Sequence, residues 1–416
     1  MHGEDYCRSD VSARCRTAKH RLGDAMSKRT TSCYALTALF LLVVHVKTAG
    51  AADAADGVPP ARLAKLTQGI NFSDWFSQPP DDPEGHLDPN NMGKDIALIK
   101  AMGFRHVRLV FSETTVADKE VPAVLSPEKM KRFDAAVDML LAAGLAVIAD
   151  FSPGNEYKRA VEKDDAAVEN FVGLWRALAK HLASRDPESV FLEVMNEPVM
   201  TDAARWNMIQ KKALAAMRES APRHTLLATS SEWSEIYRLK LVEVVADRNV
   251  VYNIHYYDPV RFTHQGAPWV GDWVKGLRNA PYPSSPEAVA NVLDGLPDDT
   301  ARNLMINYGK ERWNAAKIEA IIAKGAEWAK KHGVPLTCNE FGVYRKAPAA
   351  DRNRCIEDTR KALEKYNIGW CMWDYATEFG VATGKPGQRV PDTDTLKALG
   401  LTASSAVPQG KKREAR

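Results

Sequence analysis

Several familiar chemistries have little to stand on in this sequence. Only six cysteines are spread over 416 residues, none in a Cys-x-x-Cys spacing, and no His-x-x-x-His pair occurs, so a zinc site has little support. The Gly-x-Gly-x-x-Gly pattern that would bind a dinucleotide is missing after the first strand-like run, Gly69-Ile70-Asn71-Phe72. Charge of one sign is also scarce. Of 56 Lys/Arg and 53 Asp/Glu, residues 1–51 hold eight and four, so the remainder carries 48 against 49 and a net charge of −1. A near-neutral body gives no argument for a nucleic-acid partner. No internal repeat, linker or appended binding module is visible.

What the N-terminus does have is the layout of a secretory leader. Lys28-Arg29 precede the apolar stretch Tyr34 to Val46, and Ala49-Gly50-Ala51 offers small residues for cleavage. The apolar stretch is too short to span a bilayer comfortably. Met26 stands just ahead of the basic pair, so residues 26–51 read as a signal peptide and residues 1–25 as an upstream extension before the natural start. Cleavage predicts a secreted or periplasmic protein with no membrane attachment. It also removes Cys7, Cys15 and Cys33, leaving Cys338, Cys355 and Cys371. An odd number cannot pair completely; one disulfide or three buried thiols both remain open.

From residue 52 to 402, short β-rich apolar runs alternate with longer amphipathic ones. Strands are predicted at Gly69–Phe72, His106–Phe111, Ala146–Phe151, Val190–Asn196, Thr225–Ser230, Val250–Tyr256, Leu336–Glu340 and Gly369–Trp373. Helical periodicity falls at Met92–Met102, Ser126–Ala143, Asp165–Ser184, Asp202–Ser220, Ser234–Val245, Ala315–Lys331 and Arg352–Tyr366. Gly144 and Gly333 stand where left-handed caps would end two helices. Eight such alternations predict a single α/β domain folded as a closed (β/α)8 TIM barrel. One connection is long: the Pro-, Gly- and Trp-rich segment after strand six, from Tyr257 towards Ala315, reads as a functional loop. The basic tail 403–416 reads as disordered.

In a barrel, the C-terminal strand ends converge on one mouth. Asn71, Arg108, Asn196, Glu197, His255, Tyr257, Glu340 and Trp373 all stand at such ends. Two carboxylates there, 143 residues apart, suit an acid and a nucleophile. Either glutamate alone would read as an ordinary surface carboxylate; the pair with its neighbours does not. Glu193 lies on the same strand face as Glu197 but deeper, and reads as a buried ion-pair partner. Asp150, at the end of strand three, is ambiguous in the same way. Trp370 reads as core, and Trp233, Trp269 and Trp273 either stack on sugar or pin their loops.

Asn196-Glu197-Pro198, Glu340-Phe341-Gly342, His255-Tyr256-Tyr257, Arg108 within Val107-Arg108-Leu109, and Trp370-Cys371-Met372-Trp373 together resemble glycoside hydrolase family 5, the endoglucanase-type retaining glycosidases. The resemblance covers about Gly69 to Trp373. It implies Glu197 as acid/base and Glu340 as nucleophile. Arg108 and Tyr257 would then support Glu340, His255 would tune Glu197, Asn196 would hold a sugar 2-hydroxyl, and Trp373 would form a sugar platform. It implies no cofactor or metal, and a monomer acting on a polysaccharide or oligosaccharide. The expected activity is endo-cleavage of a β-1,4-glucan. Other linkages (β-1,3, β-1,6), mannan and transglycosylation remain alternatives, as do a non-hydrolytic sugar-binding barrel and a metal-dependent hydrolase. One departure stands out: where such proteins often carry histidine two residues after an aspartate, Asp150-Phe151-Ser152 offers Ser152.

Overall fold

The computed structural model describes residues 57–77, 86–118 and 123–402; the leader and the basic tail lie outside them. Eight parallel strands close a barrel in chain order: β1 (Gln68–Phe76), β2 (His106–Phe111), β3 (Ala146–Phe151), β4 (Val190–Glu193), β5 (Thr225–Thr229), β6 (Val250–Tyr256), β7 (Leu336–Phe341) and β8 (Gly369–Met372). Closure runs through β1 and β8, with Gly69 opposite Cys371.

The inside of the barrel is layered by the two-residue period of its strands. Ala146, Ile148, Phe191, Leu227 and Val251 form an apolar plug at the N-terminal end, closed from below by Leu66 and the helix Pro60–Lys65. One pleat further along each strand the inward positions turn polar, at Arg108, Asp150, Glu193 and Asn253, all buried. The outward faces pack against the crossover helices in a second, larger core. The helices stop where expected. Gly333, at φ +63°, ends Ala315–His332, and Gly144 turns at φ +73° into the approach to β3.

Three segments depart from the sequence reading. The helix predicted over Ser234–Val245 is a short 3₁₀ helix, Ile236–Leu241, because Glu232, Trp233 and Ser234 all take left-handed φ (49°, 63°, 57°) and break the ladder before it can start. The long connection after β6 is not all loop. It holds the helices Val260–Thr263, Asp272–Lys275, Pro286–Ala290 and Asp299–Glu311, the last capped by Asp298, whose carboxylate accepts from the Ala301 amide. An unanticipated helix, Asn155–Lys163, follows β3. Among the described residues no helix is long and apolar enough to cross a membrane. Cys338, Cys355 and Cys371 are free and buried, which closes the disulfide option among them.

Candidate active site

The site is assembled on the buried guanidinium of Arg108. Its Nε and Nη2 donate to the two oxygens of Glu193 (2.9 and 2.8 Å), Nη1 to Asn71 Oδ1 (2.9 Å) and Glu340 Oε1 (2.7 Å), and Nη2 also to Asn196 Oδ1 (2.9 Å). All five N–H donors are therefore used. Asp150 Oδ1 lies 3.0 Å from Nη2 as a further ionic neighbour. Burial opposes the arginine's charge, but Asp150, Glu193 and Glu340 outweigh it and hold the guanidinium firmly protonated. Glu193 is thus the buried ion-pair partner expected, and it also accepts from Asn253 and Asn339. Asn71 sits wholly buried, donating to the Asn339 and Met372 carbonyls. It braces the ends of β7 and β8 and does not face the cleft.

Above this layer stand the two glutamates. A carboxylate oxygen of Glu197, one of Glu340 and an imidazole nitrogen of His255 all lie within 4.8 Å of one another. His255 Nδ1 is 2.9 Å from Glu197 Oε1 and 3.4 Å from Glu340 Oε2. Tyr257 donates its hydroxyl to Glu340 Oε2 at 2.9 Å. Both Glu340 oxygens are therefore held by fixed donors, and Arg108 brings positive charge, so a metal cation fits this trio poorly. Glu197 has the backbone of a strained turn: β4 ends at Glu193, and four residues later φ is +44°. Gly342, just past Glu340, cannot carry a side chain, since a Cβ would meet the Trp373 carbonyl oxygen at 2.4 Å.

Burial raises the Glu340 carboxyl; His255 and Arg108 oppose this, Glu197 adds to it, and the outcome is a raised pKa. Burial acts upward on Glu197 too, but the hydrogen bond and charge of His255, then Lys158 and Arg108, bring it below the usual range. These directions run against the roles implied by the resemblance. Two carboxyls this close titrate as one unit, and the fixed donors decide where a single proton rests. Glu340 faces a guanidinium that never deprotonates and a phenol kept protonated by burial and the nearby carboxylates. Glu197 has one side-chain hydrogen-bonding partner, the His255 imidazole. The fixed donors and the permanent charge thus stand on the Glu340 side.

The cleft has two lobes that meet at Glu197, Tyr257, His264 and Trp269. One, about 470 Å³, contains Asn196, Glu340, Ser152 and Trp373. The other, about 500 Å³, is walled by Trp233, Tyr237, His255 and Trp273. Trp233, Trp269 and Trp273 remain 45%, 58% and 41% exposed, which fits platforms better than loop pins. Trp370, by contrast, is core. Sequence reasoning missed His264, Tyr237 and the buried Lys158. His264 follows the short helix Val260–Thr263 in the insertion after β6, and Tyr237 stood inside the helix expected over Ser234–Val245, where it read as one more amphipathic position; Lys158 was concealed by an unrecognised helix.

The cellulase (glycosyl hydrolase family 5) family model matches residues 69–378. Endoglucanase C of Acetivibrio thermocellus is 28% identical over 319 residues, 75% of this chain and 92% of that relative. Cellodextrinase A of Ruminococcus flavefaciens is 25% identical, covering 73% and 83%. Among solved structures, Cel5A of Thermotoga maritima in complex with cellobiose superposes with a TM-score of 0.65 at 26% identity, covering 82% of this chain and all of that one; the same enzyme is also solved with mannotriose. Barrel, paired glutamates and these similarities agree: the chain belongs to the cellulase family, glycosyl hydrolase family 5, and is a glycoside hydrolase.

Proposed function

We propose that the protein cleaves internal β-1,4 bonds of a glucan with retention of configuration, using Glu340 as nucleophile and Glu197 as acid/base. The observation that carries this reading is the approach of the two carboxylates within 4.8 Å, since an inverting pair stands roughly 6.5–9.5 Å apart to admit a water molecule. In the first step a Glu340 oxygen bonds to the anomeric carbon while Glu197 gives its proton to the departing glycosidic oxygen. In the second, Glu197 takes a proton from water, which displaces Glu340 from the sugar. Arg108 and Tyr257 keep Glu340 ionised and aimed. Asn196, its Oδ1 occupied by Arg108, has its amide N–H₂ left for a sugar hydroxyl. Trp373 supplies an apolar face to the sugar beside Glu340, and Trp233 and Trp273 serve the leaving side. A cleft open on both sides of the carboxylates suits a chain passing through it, hence endo-cleavage.

The relatives named for endoglucanase and cellodextrinase activity support glucan, and the mannotriose complex of the Thermotoga enzyme keeps mannan on the test panel. Reducing-sugar release from cellulose, mixed-linkage glucan, β-1,3-glucan, β-1,6-glucan and mannan, with product sizing, is the deciding experiment. Short oligomers from β-1,4-glucan are expected; release from another polymer alone replaces the substrate, and binding without release from any sinks the enzymatic reading. Full activity in chelator is expected. For the roles, Glu340→Ala should regain turnover with azide as a product of inverted configuration, whereas Glu197→Ala should keep activity only towards good leaving groups. Secretion of a monomer cleaved near residue 51 completes the proposal; N-terminal sequencing and light scattering of the exported product check it.

A further inference from the structure

His264 is tied to the protein along one edge of its ring only. It is the first residue past the short helix Val260–Thr263, and it stands where the two lobes of the cleft meet. Two aromatic contacts hold the ring: Tyr257 meets it in a T-shaped arrangement with centroids 4.9 Å apart, and Phe379 lies tilted against it at 5.2 Å. Its Nδ1 is 3.0 Å from the hydroxyl of the buried Thr263. That hydroxyl has a single proton, and the proton is spent, since Oγ1 donates to the Tyr257 carbonyl at 2.5 Å. Towards the imidazole it can only accept, so Nδ1 carries the N–H. Burial lowers the His264 pKa to about 4, with only the charge of Glu197 acting the other way, so near neutral pH the ring holds one proton and no more. Nε2 is therefore a bare acceptor. It has no hydrogen-bond partner among the described residues, and it is not sealed away from the cleft as the unpartnered Nε2 of His255 is.

We infer that His264 is a specificity-determining residue, whose Nε2 accepts a hydrogen bond from a hydroxyl of one of the two sugars flanking the bond to be cleaved. Its place at the junction of the lobes puts it beside those sugars and no others. Glu197 and Tyr257, at the same junction, are engaged with His255 and Glu340, so neither supplies the missing donor. The partner of a bare acceptor must bring its own proton. A free sugar hydroxyl does so, whereas a methyl ether or an acetyl ester at the same carbon does not, and a ring held by Tyr257, Phe379 and Thr263 cannot turn another nitrogen towards it. The inference rests on the reading of the cleft as a glucan-cleaving site and deepens it: glucans methylated or acetylated at that one hydroxyl are refused.

The test is His264→Phe, which keeps a ring against Tyr257 and Phe379 and removes the acceptor. Its kcat/KM is compared with that of the wild type on cellotetraose and on a series of cellotetraoses, each lacking one hydroxyl of the two sugars at the cleaved bond. On the parent, His264→Phe should lose about three- to tenfold; one monodeoxy substrate should cost the wild type a similar factor, and on that substrate the two proteins should be equal. His264→Gln, which returns a carbonyl oxygen near the place of Nε2, should recover part of the loss on the parent and none on that substrate. Parent activity untouched by His264→Phe overturns the inference. So does a loss of the same size on every monodeoxy substrate, which is what a ring that only packs would give. A wild type that leaves every cello-oligosaccharide intact defeats the glucan reading instead; the two proteins are then compared on oligosaccharides of whichever polymer is cleaved, and the same equality decides.

Discussion

The two lobes of the cleft are built on different principles. Around Glu340 nearly every polar atom is fixed by strand ends: Arg108 by five acceptors, Glu340 by two donors, Asn71 by the carbonyls of β7 and β8. Across Glu197, the second lobe is made by connections, with Trp233 on a left-handed turn and Trp273 in the insertion after β6. Reacting atoms need placement to a fraction of an ångström, which a shared sheet supplies. A leaving polymer needs broad, tolerant apolar faces, and loops can carry those. Between the two, Trp269 stands edge-on to Tyr344 (centroids 5.0 Å apart) and takes part in both.

This contrast can be broken first at Arg108. Arg108→Met strands Glu193 and Glu340 in a buried site, so activity should fall by orders of magnitude and stability by about 3–5 kcal/mol, read by denaturant unfolding. Trp273→Ala and Trp233→Ala act on the loop lobe alone. There KM on long substrates should rise roughly three- to tenfold, with kcat on a short aryl glycoside nearly unchanged and the unfolding midpoint hardly moved. If either tryptophan variant lost kcat as severely as Arg108→Met, the division of labour between lobes would be wrong.

A smaller effect sharpens the same boundary from the β8 side. Asp374, next to Trp373, accepts from Ser73 Oγ and from Thr377, and burial foremost, then Asp74, lifts its pKa from 3.8 to about 7. The folded state thus binds this proton more tightly than the unfolded chain. Stability from this group is complete below about pH 4 and is lost as pH rises towards 7. Asp374→Asn should flatten that decline in a melting-temperature series from pH 4 to 8, with activity at neutral pH little altered.

The strands and the carboxylate pair were legible because the signals are local. An apolar run ending in Asn-Glu-Pro reports both a strand and its exit, and Gly144 and Gly333 report the ends of helices. Lys158 was not legible, since nothing in Asn155–Lys163 distinguishes a buried lysine from a surface one. The helix Asp299–Glu311 did carry a signal, the Asp298 cap, lost among neighbouring Pro and Gly residues. The failed helix at Ser234–Val245 had the right periodicity, but tertiary constraint on Glu232–Ser234 prevailed over it. Asn71 was read as a strand end, but β1 runs on to Phe76, so Asn71 lies within the strand with its side chain tied to carbonyls of β7 and β8.

The left-handed backbone at Glu197 sets fold and function in opposition at one residue. A non-glycine residue at φ +44° costs on the order of 1 kcal/mol. A chain carrying Glu197→Gly should therefore survive heating better than the enzyme it came from while hydrolysing almost nothing, so a thermal screen without an activity assay would select away the proton donor.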